Sequence, residues 1–353
     1  MIRAAMAASR ENQSAELGTP IDRNLALELV RVTEGAAMAA ARYMGRNQKE
    51  LADKAAVDSM RRSLNFVDMD GIVVIGEGEK DEAPMLFIGE RVGNGNPPGV
   101  DVAVDPIDGT RLVARGLPGG IATVALAERG SMYHTHVPYM EKLIVGPEAA
   151  DVIDITDSVA ANLQRIAQAE DRTVEDLTVV VLDRERHELL LEEIRRAGAR
   201  VKLIMDGDVA AGLMAAMEHR TGIDVLMGVG GAPEAVLAAC GVKCIGGGMQ
   251  ARLWLRDADR ALAESEGKRE SEVLGLDDLV AGDNVFFAAT GITDGELLQG
   301  VRFLGDDRCH TQSLVMRSYS GTTRYIEAEH RLDKLRRRRD EAERAFSGID
   351  VAI

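Results

Sequence analysis

The chain has 353 residues, enough for one large or two medium domains, and its core must be aliphatic because 46% of the residues are hydrophobic but only 3% aromatic. Its formal net charge of −16 argues against a general nucleic-acid-binding protein and against binding to anionic membranes. We expect a cytoplasmic protein without a membrane helix or secretion signal, because no apolar run approaches the roughly 18 residues of a membrane span and there are only three cysteines.

The first half of the chain, residues 21–155, predicts two helices followed by strands. A loose N-terminal extension is expected over 1–20, since these residues are mixed and polar. Apolar residues at helical spacing, among them Leu25 and Leu29, predict a helix over 22–45. The other elements predicted in this half are a helix over 55–66 and strands over 72–75, 100–104, 121–127 and 132–137.

The second half, residues 156–330, alternates strands with helices, which favours a parallel sheet covered by helices. The final segment, 331–353, belongs to a charged helix that is predicted to begin near Tyr325 and to expose its basic run to solvent. The sequence leaves open which sheet the last strand joins. The predicted strands are 178–182, 201–205, 224–227, 284–289 and 311–316, and the predicted helices are 185–197, 209–217, 234–239 and part of 256–283.

Carboxylates are concentrated at the predicted ends of two strands and between the first two helices. Glu77 follows the first strand, Asp105 and Asp108 follow the second, and Asp53 lies between the helices. Like charges repel, so a cluster of this kind is costly unless a cation lies within it. The pattern therefore indicates a hard divalent cation such as Mg²⁺ or Mn²⁺, which favours carboxylate oxygens.

Thr110 adds a hydroxyl to the sequence Asp-Pro-Ile-Asp-Gly-Thr that begins at Asp105. A hydroxyl beside carboxylates can orient or deprotonate a water molecule, and metal ions neutralise phosphoryl oxygens. Hydrolysis of a phosphate ester is the predicted chemistry. An isolated Gly-Glu-Gly-Glu or Asp-Gly-Thr sequence is more often a solvated turn, but the whole hexapeptide behind a buried strand is much more specific.

Polar residues follow three strands of the predicted parallel sheet, at 183–187, 206–208 and 228–234, and would meet at one edge of it. The planar guanidinium groups of Arg184 and Arg186 suit a phosphate. Neutralisation of these arginines by neighbouring glutamates at the surface is an equally good interpretation. The glycines at 228–231 do not complete a dinucleotide-binding pattern, so that interpretation is weak.

These motifs together resemble the class II fructose-1,6-bisphosphatases, including those that also hydrolyse sedoheptulose 1,7-bisphosphate. The resemblance runs from about residue 22 to about residue 330, nearly the whole chain. The hexapeptide also resembles the wider lithium-sensitive sugar phosphatase superfamily, which includes inositol monophosphatases. The matching segments are 52–53, 75–86, 105–110, 139–143, 206–208 and 230–234.

The resemblance implies an α/β and α+β fold with α-β-α-β-α layers, an N-terminal mixed-sheet half and a C-terminal parallel-sheet half. It also implies metal-dependent hydrolysis of the 1-phosphate of fructose 1,6-bisphosphate by a metal-activated water, in a homo-oligomer that is a dimer or tetramer. The implied ligands of Mg²⁺ or Mn²⁺ are Asp53, Glu77, Asp105, Asp108 and Glu234, and the implied catalytic residues are Thr110, Asp53 and Lys49. The implied substrate-binding residues are Asp108, Gly109, Thr110, Tyr139, Arg184, Glu185, Arg186, Asp206, Gly207, Asp208 and Gly231.

Three positions depart from the pattern of the family. Asp108 stands where members often have glutamate, Gln48 stands where a Gly-Asp pair often precedes Lys49, and Arg184 replaces a lysine. The sequence therefore leaves alternatives open. These are an inositol-phosphate-type phosphatase, a non-catalytic regulator that binds metal or sugar phosphate, and a nucleotide-binding oxidoreductase.

Overall fold

Two β-sheets alternate with layers of helices in the computed structural model, which describes residues 25–78 and 85–337. The helices are α1 (Leu25–Ala40), α2 (Lys49–Leu64), α3 (Thr110–Arg115), α4 (Val159–Ala169), α5 (Glu188–Ala197), α6 (Asp208–Ala216), α7 (Glu218–Thr221), α8 (Ala232–Ile245), α9 (Arg260–Ser265) and α10 (Leu276–Leu279). The strands are β1 (Asp70–Ile75), β2 (Arg91–Val92), β3 (Gly99–Asp108), β4 (Ile121–Glu128), β5 (Tyr139–Val145), β6 (Thr178–Leu182), β7 (Arg200–Ile204), β8 (Val225–Gly231), β9 (Gly248–Leu253), β10 (Leu274–Gly275), β11 (Phe286–Gly291), β12 (Arg302–Leu304), β13 (Arg308–Arg317) and β14 (Thr322–Arg331).

The first sheet has the strand order β12-β13-β11-β4-β3-β1-β2, with β14 also paired to β13. Only β1 and β3 are parallel among its described pairs. The second sheet has the order β10-β9-β5-β8-β6-β7. Its strands β8, β6 and β7 are parallel, whereas β5 is antiparallel to both of its neighbours.

Alternating side chains on the central strands supply a separate core to each face of the sheets. On β3, Val102 packs with α1 and α2 on the outer face, whereas Ala103 packs with α6 and α8 on the inner face. The outer face of the second sheet packs against α4 and α5. The layers therefore follow the order α-β-α-β-α.

The two middle helices, α6 and α8, are apolar around most of their circumference because a sheet covers each side. They approach each other closely at Gly241, where an added Cβ would lie 2.3 Å from Leu213 Cδ2. Their first residues face one edge of the molecule, where they help to form the site described below.

The predicted fold class is confirmed, and most predicted strands are present. The prediction of a parallel sheet holds for three strands of the second sheet, and β5, β9 and β10 make that sheet mixed. The last strands, β11 to β14, return to the first sheet. No described helix is long and apolar enough to cross a membrane.

Two predicted elements are wrong. Residues 132–137 form an isolated bridge between Met132 and Val280 instead of a strand. The reason is that Thr135 Oγ1 and the His136 backbone N–H both donate to Glu266, which holds a turn. The helix expected from residue 325 begins only at 332, because β14 pairs with β13 up to that point.

The division into halves at residue 155 stays a prediction, although β5 already belongs to the second sheet. The predicted N-terminal extension, 1–20, lies outside the described residues, as does the C-terminal segment after 337. The described part of the first helix ends at Ala40, and the second begins at Lys49.

Candidate active site

All five carboxylates predicted to bind metal line one cavity of about 270 Å³. It lies where the ends of β1 and β3 meet the first residues of α3, α6 and α8. Thr110 and the segment 206–208 line the same cavity. The carboxylates are Asp53 from α2, Glu77 after β1, Asp105 and Asp108 from β3, and Glu234 from α8.

A bulge in β3 brings Asp105 and Asp108 to the same cavity. Residues three apart on a regular strand point to opposite faces, but Asp105 pairs with Thr123 of β4 and Asp108 with Ile121. The bulge therefore inserts one residue and restores a common direction. Asp105 Oδ1 accepts the Ile107 N–H at 3.0 Å within this bulge.

Glycine makes the sharp turn from β3 into α3. Gly109 has a φ of 85°, in the left-handed region that favours glycine, and Thr110 is the first residue of α3. The Thr110 hydroxyl donates to Ile107 O at 3.1 Å. This bond fixes the hydroxyl oxygen at the wall of the cavity.

Carboxylates hold the first turns of both α6 and α3. Asp108 Oδ2 accepts the Ala210 N–H at 2.8 Å, and Asp206 Oδ2 accepts the Arg111 N–H at 3.2 Å. Gly207, with a φ of 85°, leads into the helix between these contacts. The partial positive charge at the start of α6 therefore faces the cavity and favours an anion there.

Burial and mutual repulsion raise the pKa values of the cavity carboxylates. Burial, followed by the charges of Asp53 and Glu234, raises the pKa of Glu77 to about 7. Burial and then the neighbouring carboxylates raise the pKa values of Asp105 and Asp108 well above their ordinary range. A cluster of this kind is suited to a divalent cation, whose charge would offset the repulsion.

Lys142, which the sequence analysis did not assign, is the buried cation of this region. Its ammonium group donates to the Asp208 carboxylate and, at 3.1 Å, to Gly231 O. Burial and then the charge of Asp208 raise the pKa of Glu234, and the positive charge of Lys142 opposes that rise. The available signal was a lysine within the apolar strand β5, which is where a buried ion pair is expected.

The predicted phosphate-binding arginines lie beyond the cavity lining. Arg184 pairs with Asp206 at 3.6 Å and donates to Met205 O at 2.9 Å. Arg186 donates to Val229 O at 2.7 Å. Neither arginine forms an ion pair with a glutamate within the described parts of the chain, so surface neutralisation by neighbouring glutamates is not observed.

The other predicted residues are divided between the cavity and its surroundings. Tyr139 lies with its ring centroid 5.4 Å from the Arg186 guanidinium, and it pairs with Gly231 across β5 and β8. Glu185 is exposed. Lys49 is exposed one helical turn before Asp53, and its charge lowers the pKa of Asp53 against the larger effect of burial.

Known proteins resemble this chain over nearly its full length. The family described as bacterial fructose-1,6-bisphosphatase, glpX-encoded, matches residues 23–330. The D-fructose 1,6-bisphosphatase class 2/sedoheptulose 1,7-bisphosphatase of Synechococcus sp. (strain JA-3-3Ab) is 43% identical over 339 residues, covering 89% of this chain and 97% of that protein. The fructose-1,6-bisphosphatase 1 class 2 of Escherichia coli (strain K12) is 44% identical over 326 residues, covering 88% and 96%.

Proposed function

The chain belongs to the glpX-encoded family of bacterial fructose-1,6-bisphosphatases, and we propose that it hydrolyses the 1-phosphate of fructose 1,6-bisphosphate in the acidic cavity. It is a phosphoric monoester hydrolase, which decides against a non-catalytic regulator and an oxidoreductase. The observation that carries the proposal is the convergence of five carboxylates and Thr110 in one cavity. The cytoplasmic location and the homo-oligomer expected from the sequence stay predictions.

The cavity carboxylates fit divalent metal ions, with Asp53, Glu77, Asp105, Asp108 and Glu234 as the residues that would hold them. All five offer hard oxygen donors, which favours Mg²⁺ or Mn²⁺. When bound, such ions neutralise phosphoryl oxygens and lower the pKa of water.

In this proposal Thr110 orients the attacking water. Its hydroxyl hydrogen is used in the bond to Ile107 O, so its oxygen is left to accept a hydrogen bond from water. Asp53, which comes from α2, faces the same cavity and also holds the water. The first residues of α6 direct backbone N–H dipoles toward the phosphate.

The remote phosphate is held on the side of Arg184 and Arg186. Arg184 is anchored to Asp206, which also lines the cavity, so the arginine lies next to the reacting phosphate without entering its site. Tyr139 stacks near Arg186 and limits the room for the sugar. Sedoheptulose 1,7-bisphosphate is included in the proposal because it also carries a phosphate at carbon 1 and another at the far end of the sugar, and because the name of the Synechococcus relative includes it.

The substrate assignment is tested by phosphate release from fructose 1,6-bisphosphate, sedoheptulose 1,7-bisphosphate and inositol 1-phosphate with Mg²⁺, with Mn²⁺ and with EDTA. Metal-dependent release from the sugar bisphosphates alone is the expected result. Release from inositol 1-phosphate at a comparable rate would overturn the assignment of the substrate class. Failure of all three substrates with folded, metal-loaded protein would overturn the proposed site chemistry.

The role of Thr110 is tested by comparing Thr110→Ala with Thr110→Ser. The alanine variant is expected to lower kcat by about 100-fold or more with KM changed only a few-fold, because an orienting hydroxyl acts in the transition state. Serine keeps the hydroxyl and is expected to restore most of kcat. Thr323→Ala, an exposed position on β14, is the control. A kcat of Thr110→Ala within a few-fold of the parent would show that Thr110 does not orient the water.

A further inference from the structure

Three potential metal-binding side chains meet at the end of α6 that lies away from the acidic cavity. Glu148 comes from the short 3-10 turn Pro147–Ala149 after β5, and Glu218 and His219 begin α7. One ligand atom from each residue lies within 4.8 Å of the other two. His219 Nε2 is 3.2 Å from Glu218 Oε1 and 3.3 Å from Glu148 Oε1.

Glu218 is the unusual member of this cluster. Its side chain is only 4% exposed, and neither of its carboxylate oxygens accepts a hydrogen bond from any described residue, although Oε1 lies 3.2 Å from His219 Nε2. Gly146 leaves the room for it, because a Cβ at that position would lie 2.1 Å from Glu218 Oε2. A buried carboxylate without a donor is costly, so its position calls for a positive ligand or a proton.

The basic side chains around Glu218 do not supply this positive charge. Among the described residues, no lysine or arginine forms an ion pair with Glu148 or Glu218. Arg172 is occupied by Glu170 at 3.1 Å and by Asp224 at 2.5 Å. The remaining partners of Glu218 are His219 and the carboxylate of Glu148.

We infer that Glu148, Glu218 and His219 form a second metal site, which takes a divalent transition-metal ion of the Zn²⁺ type. Two carboxylates balance the ion's charge, and the imidazole nitrogen favours Zn²⁺ over Mg²⁺. The His219 side chain is 79% exposed and that of Glu148 is 45% exposed, so the ion can enter from solvent and water can complete its coordination.

The ion would connect two segments that frame the acidic cavity. Glu148 follows the end of β5, the strand that carries Lys142, and Glu218 follows α6, whose first residues line the cavity. Helix α6 has nine residues, Asp208–Ala216, so at 1.5 Å per residue its two ends, and with them the two sites, lie roughly 13 Å apart. The ion would thus fix the far end of α6 without taking part in the reaction.

A proton is the competing explanation. A protonated His219, or a proton shared by Glu148 and Glu218, would also relieve the repulsion, and burial together with Glu148 raises the pKa of Glu218 to about 7. This explanation requires no affinity for metal. A measurement of metal binding therefore distinguishes a metal site from a site that holds only a proton, whether or not the protein is active.

The test is calorimetric titration of the full chain with Zn²⁺ in saturating Mg²⁺, which competes for the oxygen ligands of the cavity. The wild type is expected to bind one Zn²⁺ more than His219→Ala, and Glu218→Gln is expected to weaken that site by about tenfold or more. His136→Ala is the matched control, because His136 also contacts a carboxylate, Glu266 at 2.7 Å, but belongs to no group of three potential metal ligands among the described residues. It is expected to bind as the wild type does.

A spectroscopic measurement identifies the ligand directly. X-ray absorption of Zn²⁺ bound to Glu77→Gln protein, in which the acidic cavity is weakened, is expected to show imidazole scattering that His219→Ala removes. Equal Zn²⁺ stoichiometry and affinity in the wild type, His219→Ala and Glu218→Gln would overturn the inference. If Glu218→Gln does not fold, the exposed His219→Ala decides the question alone.

Discussion

Lys142 shows how a single residue supports the acidic cavity without lining it. It is among the largest fully buried side chains in the described structure, and its ammonium group lies between the Asp208 carboxylate and the carbonyl of Gly231. Burial and then the charge of Asp208 raise the pKa values of Asp108 and Glu234, so the lysine offsets a local excess of negative charge. Removing one partner of such a pair leaves the other charge buried and unpaired.

We therefore expect Lys142→Met to lower the free energy of unfolding by about 3–5 kcal/mol. Denaturant unfolding in EDTA measures the loss. Lys243→Met is the matched control, since Lys243 pairs at 2.6 Å with Asp277, whose side chain is 92% exposed, and a change of about 1 kcal/mol or less is expected. A loss in Lys142→Met no greater than that of the control would show that the buried pair contributes little.

Residue types and motifs pointed to Asp53, Glu77, Asp105, Asp108 and Thr110, and the family resemblance added Glu234. The structure brings all six to one cavity, while their roles stay predictions. Lys142 could not be predicted in this way. A lysine in an apolar strand indicates a buried ion pair, but its partner Asp208 is 66 residues away and no local feature of β5 identifies that partner. The cluster of Glu148, Glu218 and His219 was missed for the same reason.

At the scale of secondary-structure elements, the junction of β3 with α6 explains a departure from the family pattern. Asp108 both faces the cavity and accepts the Ala210 N–H at 2.8 Å, so its shorter side chain caps α6. It is 3% exposed, and an added Cβ on Gly207 would lie 3.5 Å from its Oδ2. The aspartate thus combines a helix cap with the proposed role of a metal ligand in little space.

Asp108→Asn is expected to separate these two roles. The amide oxygen can still accept the Ala210 N–H, while the loss of a charge relieves repulsion in the cluster. We expect a Tm in EDTA that is equal to or higher than that of the parent, with kcat lowered by about 100-fold or more. Thermal unfolding and phosphate release measure the two effects. A lowered Tm would show that the carboxylate charge itself is needed for the cap.

Element prediction succeeded where the apolar pattern was simple and failed where tertiary contacts determine the conformation. The strands β1, β3, β4 and β6 are short apolar runs, and they were predicted. In β5 the pattern is broken by Glu141 and Lys142, whose partners come from β9 and α6. The segment 325–331 is charged in sequence, yet its backbone bonds to β13 make it the strand β14.

At the scale of the whole molecule, carboxylates with raised pKa values are spread over several layers of the fold. Burial is the largest cause in each case, and it raises the pKa values of Glu34, Glu77 and Glu218 to about 7. Glu34 lies between α1 and the first sheet, where Thr311 Oγ1 is at 3.4 Å and His330 Nε2 at 3.8 Å. Glu77 belongs to the acidic cavity, so a cation can reach it, whereas Glu34 is enclosed by the fold.

The pH dependence of stability should distinguish these sites. A carboxyl whose folded pKa is raised from 4.5 to about 7 contributes stability that is present below pH 4.5 and is lost as the pH rises through 7. In EDTA, Glu34→Gln should therefore match the wild type near pH 5 and exceed its free energy of unfolding near pH 8, by at most about 3 kcal/mol.

Mg²⁺ should change the part of the pH dependence of stability that comes from the cavity carboxylates. Because a cation favours ionised carboxylates, saturating Mg²⁺ is expected to raise the free energy of unfolding more at pH 8 than at pH 5, and by the same amount in the wild type and Glu34→Gln. Additivity is expected since the two sites share no contact and lie in different layers. Denaturant unfolding at both pH values, at constant ionic strength, measures all four combinations. A Mg²⁺ effect that is equal at the two pH values would mean that the cavity carboxylates are already ionised at pH 5, and a Mg²⁺ effect that vanishes in Glu34→Gln would mean that the cation acts on the enclosed carboxyl.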